Sequence, residues 1–195
     1  DKVVYNQERK MDFVSYNWSV YGKNGTSINV QKPIGENETN AFVGTYNGNS
    51  YEINNVNFHT IDGSYVGLFG YNKGKIKNVV VATQYKIGST SYNVTRTEPV
   101  SVNQTAYFGV LVGYNEKGGV IDNCAAAGYY LSGKEGKIYG YRNSEVYVGG
   151  LVGFNVGAIT NSAADLPRLS LVMNSATCYA GSFVGYNEGT ICLLY

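Results

Sequence analysis

Groups able to do covalent chemistry are few in this 195-residue chain. Histidine occurs once, as His59 within Asn57-Phe58-His59-Thr60. A Ser-His-Asp triad would have to use it, and no Gly-x-Ser-x-Gly elbow is present. A single histidine also rules out a His-Glu-x-x-His zinc site. Aspartate stands singly at 1, 12, 62, 122 and 165, whereas a hard cation needs clustered oxygens. Glu116 and Glu188 hold one position of a repeated motif, two repeats apart. Regular stacking would separate them by about 10 Å, at the upper end of the ~6.5–9.5 Å carboxylate spacing of inverting glycosidases. Val156 holds that position between them, and the turns are polar, so both read as solvated turn charges. Cys124, Cys178 and Cys192 lack Cys-x-x-Cys spacing and read as small buried hydrophobes. The expectation is a chain that is not an enzyme and carries no catalytic residue, no metal site and no cofactor.

Recognition chemistry is better supplied. Of the 19 tyrosines, Tyr85, Tyr92, Tyr129, Tyr130, Tyr139 and Tyr141 fall in or near stretches between motifs. A phenol offers a flat apolar ring with a polar tip, suited to stacking on sugars and to protein interfaces. The alternative is that tyrosine is simply a good strand residue. Tyr92, Tyr139 and Tyr141 are the candidate anchors for a host protein or glycan ligand. Lys and Arg number 15 against 14 Asp and Glu, so there is no basic footprint for nucleic acid or an anionic membrane. The longest apolar run, Cys124 to Leu131, is far below the ~18 residues of a membrane span. The first ten residues hold no hydrophobic signal-peptide core.

The elements that would position these groups are written in a repeat. Tyr65-Val66-Gly67-Leu68-Phe69-Gly70-Tyr71-Asn72 aligns with Tyr107-Phe108-Gly109-Val110-Leu111-Val112-Gly113-Tyr114-Asn115, with Tyr147-Val148-Gly149-Gly150-Leu151-Val152-Gly153-Phe154-Asn155, and with Tyr179-Ala180-Gly181-Ser182-Phe183-Val184-Gly185-Tyr186-Asn187. Each runs on into a Gly-containing turn and an Ile, and three then place Asn two residues later, at Asn78, Asn123 and Asn161. A degenerate copy begins at Phe42. The shared glycines Gly70, Gly113, Gly153 and Gly185 recur at spacings of 43, 40 and 32 residues. Constant motifs with variable spacers describe rungs joined by loops of adjustable length.

The runs are short, β-branched and aromatic, and Gly and Asn punctuate them, which argues for strands over helix. With 25 Gly, 22 Asn and only 15% charged residues, against roughly 25% in an average domain, the composition agrees. The fold expected is all-β: a parallel β-solenoid of about five coils over 42–195, with 1–41 as an N-terminal cap or added strands. Asn72, Asn115, Asn155 and Asn187 would stack as a ladder or support bends. The motif glycines would supply positive φ or close backbone passage. Apolar residues on both parities of the run suggest strands covered on both faces.

The strings Gly67-Leu68-Phe69-Gly70 and Gly150-Leu151-Val152-Gly153, with the lead-in Phe42…Gly44-Thr45-Tyr46-Asn47-Gly48, resemble the GLUG repeat. The likeness covers roughly 40–195; Val110, where the repeat has Gly, and Ser182-Phe183, in place of Gly-Leu, depart from it. GLUG repeats occur in bacterial surface adhesins, filamentous haemagglutinin-like proteins and IgA-cleaving metallopeptidases, as extracellular β-helical stretches without catalytic residues. The resemblance therefore implies an extracellular or cell-surface, adhesin-like stalk or binding module. It also accommodates an accessory scaffold segment of a secreted IgA-peptidase-like enzyme. A polysaccharide lyase or hydrolase built on a β-helix is the remaining alternative.

Three further expectations follow. Lys73 and Glu116 share a motif position in adjacent coils and should come within salt-bridge range. The spacers at 82–106 and 128–146 should gather on one side, the binding face. The last residues, Leu193, Leu194 and Tyr195, would leave an apolar rung that a longer chain, a neighbouring domain or self-association covers.

Overall fold

Glycine inside every apolar run disfavours helix by about 1 kcal/mol per residue, and the β-branched and aromatic residues around it fit a pleated surface. The computed structural model describes residues 3–12, 19–21, 27–29, 33–54, 58–60, 65–84, 95–97, 105–129, 137–140, 144–165, 170–173 and 176–193. Among them every element is a strand, and no helix is long and apolar enough to cross a membrane.

One coil shows the plan. The chain runs through Thr105–Gly109, Val112–Asn115, Val120–Asp122, Ala125–Tyr129 and Lys137–Gly140, which form its five sides. Each strand pairs in parallel with its counterpart in the coils before and after. The first side is a sheet of Tyr65–Val66, Thr105–Gly109, Glu145–Gly149 and Thr177–Gly181; the second stacks Phe69–Asn72, Val112–Asn115, Val152–Asn155 and Val184–Asn187. The third has six strands: Val4–Asn6, Thr45–Asn47, Lys75–Lys77, Val120–Asp122, Ala158–Thr160 and Thr190–Cys192. The fourth holds Met11–Asp12, Glu52–Asn54, Val80–Gln84, Ala125–Tyr129 and Ala163–Asp165; the fifth holds Phe58–Thr60, Thr95–Thr97, Lys137–Gly140 and Ser170–Met173. The protein is a parallel β-solenoid.

Before residue 42 the chain adds to this frame. Val4–Asn6 and Met11–Asp12 add strands to the third and fourth sides, and Ser19–Tyr21 pairs antiparallel with Ser27–Asn29. Ile34 also bridges to Phe69 on the second side.

Inside the coil, like residues stack in columns. Ile76, Ile121 and Ile159 form the middle of the third side and are fully buried. On the fourth side the column tapers through Ile53, Val81, Ala126 and Ala164. At the last rung the third-side column opens: Ile191 is 37% exposed, and Leu193, after the strand, is 44% exposed, while Leu194 and Tyr195 lie outside the described residues.

The two apolar parities of the motif are buried for a different reason than coverage of both faces. Leu111 and Leu151 lie in two-residue corners between the first and second sides, and the chain turns there. The turn points both Leu111 and the following Val112 into one core, as it does Leu151 and Val152. A bend, not a second covering layer, explains the pattern.

The corner is tight. A Cβ on Gly109 would lie 2.1 Å from the Val112 carbonyl oxygen and 2.7 Å from the Gly153 nitrogen. None of Gly70, Gly113, Gly153 and Gly185 has positive φ, so close passage of backbone is their role and left-handed geometry is not. Gly109→Ala is expected to cost ~3 kcal/mol or more, at or beyond the top of the usual overpacking range. Gly118→Ala should cost less: its φ of +89° strains an L-residue, but nothing lies within 4 Å. Urea denaturation of the two variants, compared by midpoint, checks the order.

Candidate functional site

The second side and its two corners carry the polar and aromatic chemistry of the molecule. Asn72, Asn115 and Asn155 are 0% exposed, a cost that only hydrogen bonding offsets. The Asn72 Nδ2 donates to Asn115 Oδ1 at 2.8 Å, Asn115 Nδ2 to Asn155 Oδ1 at 2.7 Å, and Asn155 Nδ2 to Asn187 Oδ1 at 2.7 Å. At the first rung the Gly74 N–H also donates to Asn72 Oδ1 at 3.0 Å, fixing the turn. The amide column thus bonds coil to coil and pins each turn.

A second Asn column does the bending. Asn78, Asn123 and Asn161 have φ of 53°, 51° and 50°, left-handed values that Asn tolerates better than other non-glycine residues. They turn the chain between the third and fourth sides. Asn123 Nδ2 donates to Asn78 Oδ1 at 2.8 Å and Asn78 Nδ2 to Asn47 Oδ1 at 2.9 Å. Asn161 instead donates to Asp122 Oδ1 at 3.0 Å, beside the Thr160 hydroxyl at 2.7 Å. Those bonds, the Thr160 one foremost, hold the Asp122 carboxyl below its usual range.

Outside the core the corner between the first and second sides is a notch. Tyr65, Tyr107, Tyr147 and Tyr179 stack along the first side at centroid separations of 5.2, 5.2 and 4.8 Å, with ring planes within 14°. Tyr71, Tyr114 and Phe154 stack along the second at 4.8 and 5.1 Å, and Tyr186 continues the column at 5.1 Å from Phe154 with its ring tilted by 30°. The columns meet edge to face, as between Tyr107 and Tyr114 at 5.1 Å. Each such contact contributes roughly 0.5–1.5 kcal/mol beyond area burial. Tyr71 is buried by these neighbours although it stands apart from the main core. Because ring faces are used up within the columns, edges and hydroxyls are what the notch offers outward.

Carboxylates rim it. The Tyr71 hydroxyl donates to Glu116 and the Tyr147 hydroxyl to Glu145 at 3.1 Å. The first bond is the main reason that the Glu116 carboxyl titrates below its usual range. Lys73 and Glu116 follow Asn72 and Asn115 in register, but they form no ion pair. Glu116 takes the Tyr71 phenol, and the Lys73 ammonium lies 5.3 Å over the Tyr71 ring and 3.5 Å from the Glu38 carbonyl. Among the described residues the ion pair is Lys10–Glu52, at 2.9 Å.

The structure brings Gly70, Gly113, Gly153 and Gly185, and Asn72, Asn115, Asn155 and Asn187, into columns on one side. His59 pairs with Arg96 on the fifth side. Tyr139 lies there too, paired with Val172; Tyr92 and Tyr141 lie outside the described residues. Glu116 and Glu188 are separated by the rung of Val156. Cys124, Cys178 and Cys192 are free, and of the three only Cys124 is the buried residue expected: Cys178 is half-buried and Cys192 exposed. Burial pushes the Cys124 thiol up to about 12, the behaviour of an inert core residue. No group of three or more His, Cys, Asp or Glu among the described residues is placed to hold a metal. The aromatic columns are what reading the spacers for tyrosines overlooks. Their signal is the constant Tyr or Phe immediately before each ladder Asn and the constant Tyr that opens each motif.

Connections between sides differ in length in a systematic way. Between the first and second sides they are two residues long, as at Val110–Leu111 and Gly150–Leu151. At the next two corners they are two residues long except at 7–10, 48–51 and 116–119, which have four. The more variable connections flank the fifth side: 55–57, 85–94, 130–136 and 166–169 before it, and 61–64, 98–104, 141–144 and 174–176 after it. The long spacers expected at 82–106 and 128–146 both fall there. Compared with known proteins, the chain matches no family model, no curated protein and no solved structure.

Two tests follow. Asn115→Ala removes the acceptor of Asn72 and the donor to Asn155, both buried; at ~1–3 kcal/mol for each group left unsatisfied, it should cost about 2–4 kcal/mol in urea denaturation. Asn187→Ala removes the acceptor of Asn155, but at an exposed position that water reaches, so it should cost less, about 1 kcal/mol. The ladder phenols give a second test. Burial foremost pushes Tyr107 from 10.0 up to about 12 and raises Tyr65, Tyr71, Tyr114 and Tyr147. A raised folded-state value means stability that is complete below 10.0 and lost as pH rises through that value toward the folded one. Denaturation midpoints should therefore fall above pH 10, and less steeply in Tyr107→Phe.

Proposed function

We propose that this chain is a non-catalytic extracellular β-solenoid module, an adhesin-like stalk or binding surface on a bacterial cell. The observation that carries the reading is the split between constant and variable corners. Three corners repeat with the same glycines and asparagines and differ by two residues at most, while the larger length variation, from three to ten residues, flanks the fifth side. A scaffold that conserves its rungs and varies its loops on one side is built to present surface, because insertions there leave the core columns untouched. The resemblance to the GLUG repeat points the same way. Tyr139 belongs to the fifth side, and the connections holding Tyr92 and Tyr141 adjoin it, so these three remain the proposed anchors for a host protein or glycan.

The test is binding of the 195-residue chain to a glycan array and to a panel of immobilised host extracellular-matrix proteins. Replacing 85–94 and 130–136 by short Gly-Ser turns, with the β spectrum retained in circular dichroism, should reduce the signal by about tenfold or more, as loss of a few anchoring contacts does. Lys75→Glu on the third side should leave it unchanged. Binding indifferent to both replacements would overturn the assignment of the face, and release of reducing sugar from a bound glycan would overturn the non-catalytic reading.

A further inference from the structure

We propose that the paired aromatic columns are a site of oxidative cross-linking, at which one-electron oxidants join stacked tyrosines of neighbouring coils through carbon–carbon bonds. The inference does not rest on the adhesive reading.

Geometry carries it. Coupling of two phenoxyl radicals requires the ring carbons ortho to their oxygens to meet. In Tyr65–Tyr107, Tyr107–Tyr147 and Tyr147–Tyr179 the planes lie within 14° and the centroids within 5.2 Å. Tyr71–Tyr114 stacks at 4.8 Å and 15°. Parallel rings on adjacent rungs set like atoms over like atoms, about one ~4.8 Å rung apart, so coupling calls for a tilt of the rings and no diffusion. Reactants held in this way have high effective concentrations and outrun coupling between separate molecules. Edge-to-face contacts between the columns, such as Tyr65–Tyr71 at 5.1 Å and Tyr147–Phe154 at 5.0 Å, make the rings one continuous assembly. An electron lost at an exposed ring is thereby open to replacement from a buried one.

Proton acceptors are in place. The phenols of Tyr71 and Tyr147 already donate to the carboxylates of Glu116 and Glu145, which take the proton as the electron leaves. Two tyrosines each lose one electron to the oxidant and one phenolic proton to carboxylate or water. The ortho carbons then bond, and each coupled ring moves the hydrogen at its bonded carbon to its oxygen, restoring two phenols. Each link thus releases two electrons and two protons. The matching oxidant is a peroxide acting through a haem peroxidase and reduced to water. Such a link closes the chain between rungs as a disulfide would, restricting the unfolded state, in a protein whose three cysteines are free.

The columns contain their own control. Phe154 sits between Tyr114 and Tyr186 and, lacking a phenol, interrupts coupling along the second column. The experiment is photo-oxidation of the dilute 195-residue chain with ruthenium tris-bipyridine and persulfate, read by dityrosine fluorescence and by tandem mass spectrometry of cross-linked peptides. Links are expected at 65–107, 107–147, 147–179 and 71–114. Tyr107→Phe keeps the stack but should remove the first two, lowering dityrosine by about half. Phe154→Tyr should add links 114–154 and 154–186. Circular dichroism confirms that both variants fold. Absence of dityrosine, links that fall mainly on other tyrosines, or the same link pattern in guanidinium-unfolded protein would each overturn the proposal.

Discussion

Parallel strands in register lie ~4.8 Å apart, and the solenoid obeys this spacing on all five sides. Side chains of the described columns therefore meet their counterparts from the next coil at hydrogen-bonding or van der Waals distance. That constraint selects residues that tolerate self-contact. Isoleucine does so by packing, asparagine by donating with one amide group and accepting with the other, and tyrosine by offset stacking. Charged residues tolerate it less well, since like charges one rung apart repel; among the described strands the fifth side nonetheless sets Arg96 opposite Lys137. The low charge content agrees with the architecture: in the column that Glu116 and Glu188 share, the uncharged Val156 lies between them.

The asparagines divide the labour of a corner between them. Buried Asn72, Asn115 and Asn155 form an amide column inside the turn. Asn78, Asn123 and Asn161 accept the left-handed backbone that the next corner demands. Glycine serves differently, by lacking a side chain where two backbones nearly touch. The notch that results draws the outward rings of the first and second sides together. Close packing at the backbone and aromatic packing outside it are thus one feature: widening the corner to admit a Cβ would separate the columns of Tyr107 and Tyr114.

Near-constancy at three corners and wider variation around the fifth side are two halves of one design. Core columns and ladders give neighbouring coils the same cross-section, so connections such as 85–94 and 166–169 differ in length without disturbing the rungs they join. The fixed notch presents edges, hydroxyls and carboxylates, because its ring faces are already occupied. Chemistry that acts on the rings themselves fits the notch; recognition that needs an open aromatic face fits the variable side better. The two proposals accordingly fall on different parts of the coil.

In-register stacking is why so much was legible in the residues alone. A structure that sets each position against its own copy writes itself as a repeat, and the columns of Gly70, Gly113, Gly153 and Gly185 and of Asn72, Asn115, Asn155 and Asn187 follow from alignment. Which way a side chain faces is another matter. Leu111 and Val112 are consecutive, and only a bend between them sends both into the core, so alternation along the string misleads. Partner choice is likewise decided in space: Lys73 and Glu116 align, yet Glu116 binds the phenol of Tyr71 because the notch delivers that hydroxyl to it. The repeat, its strands and their register were determined by the sequence itself, since they depend on contacts between like positions. The inward faces, the notch and its aromatic assembly were decided by the tertiary structure, since they depend on how tightly unlike strands turn against one another at a corner.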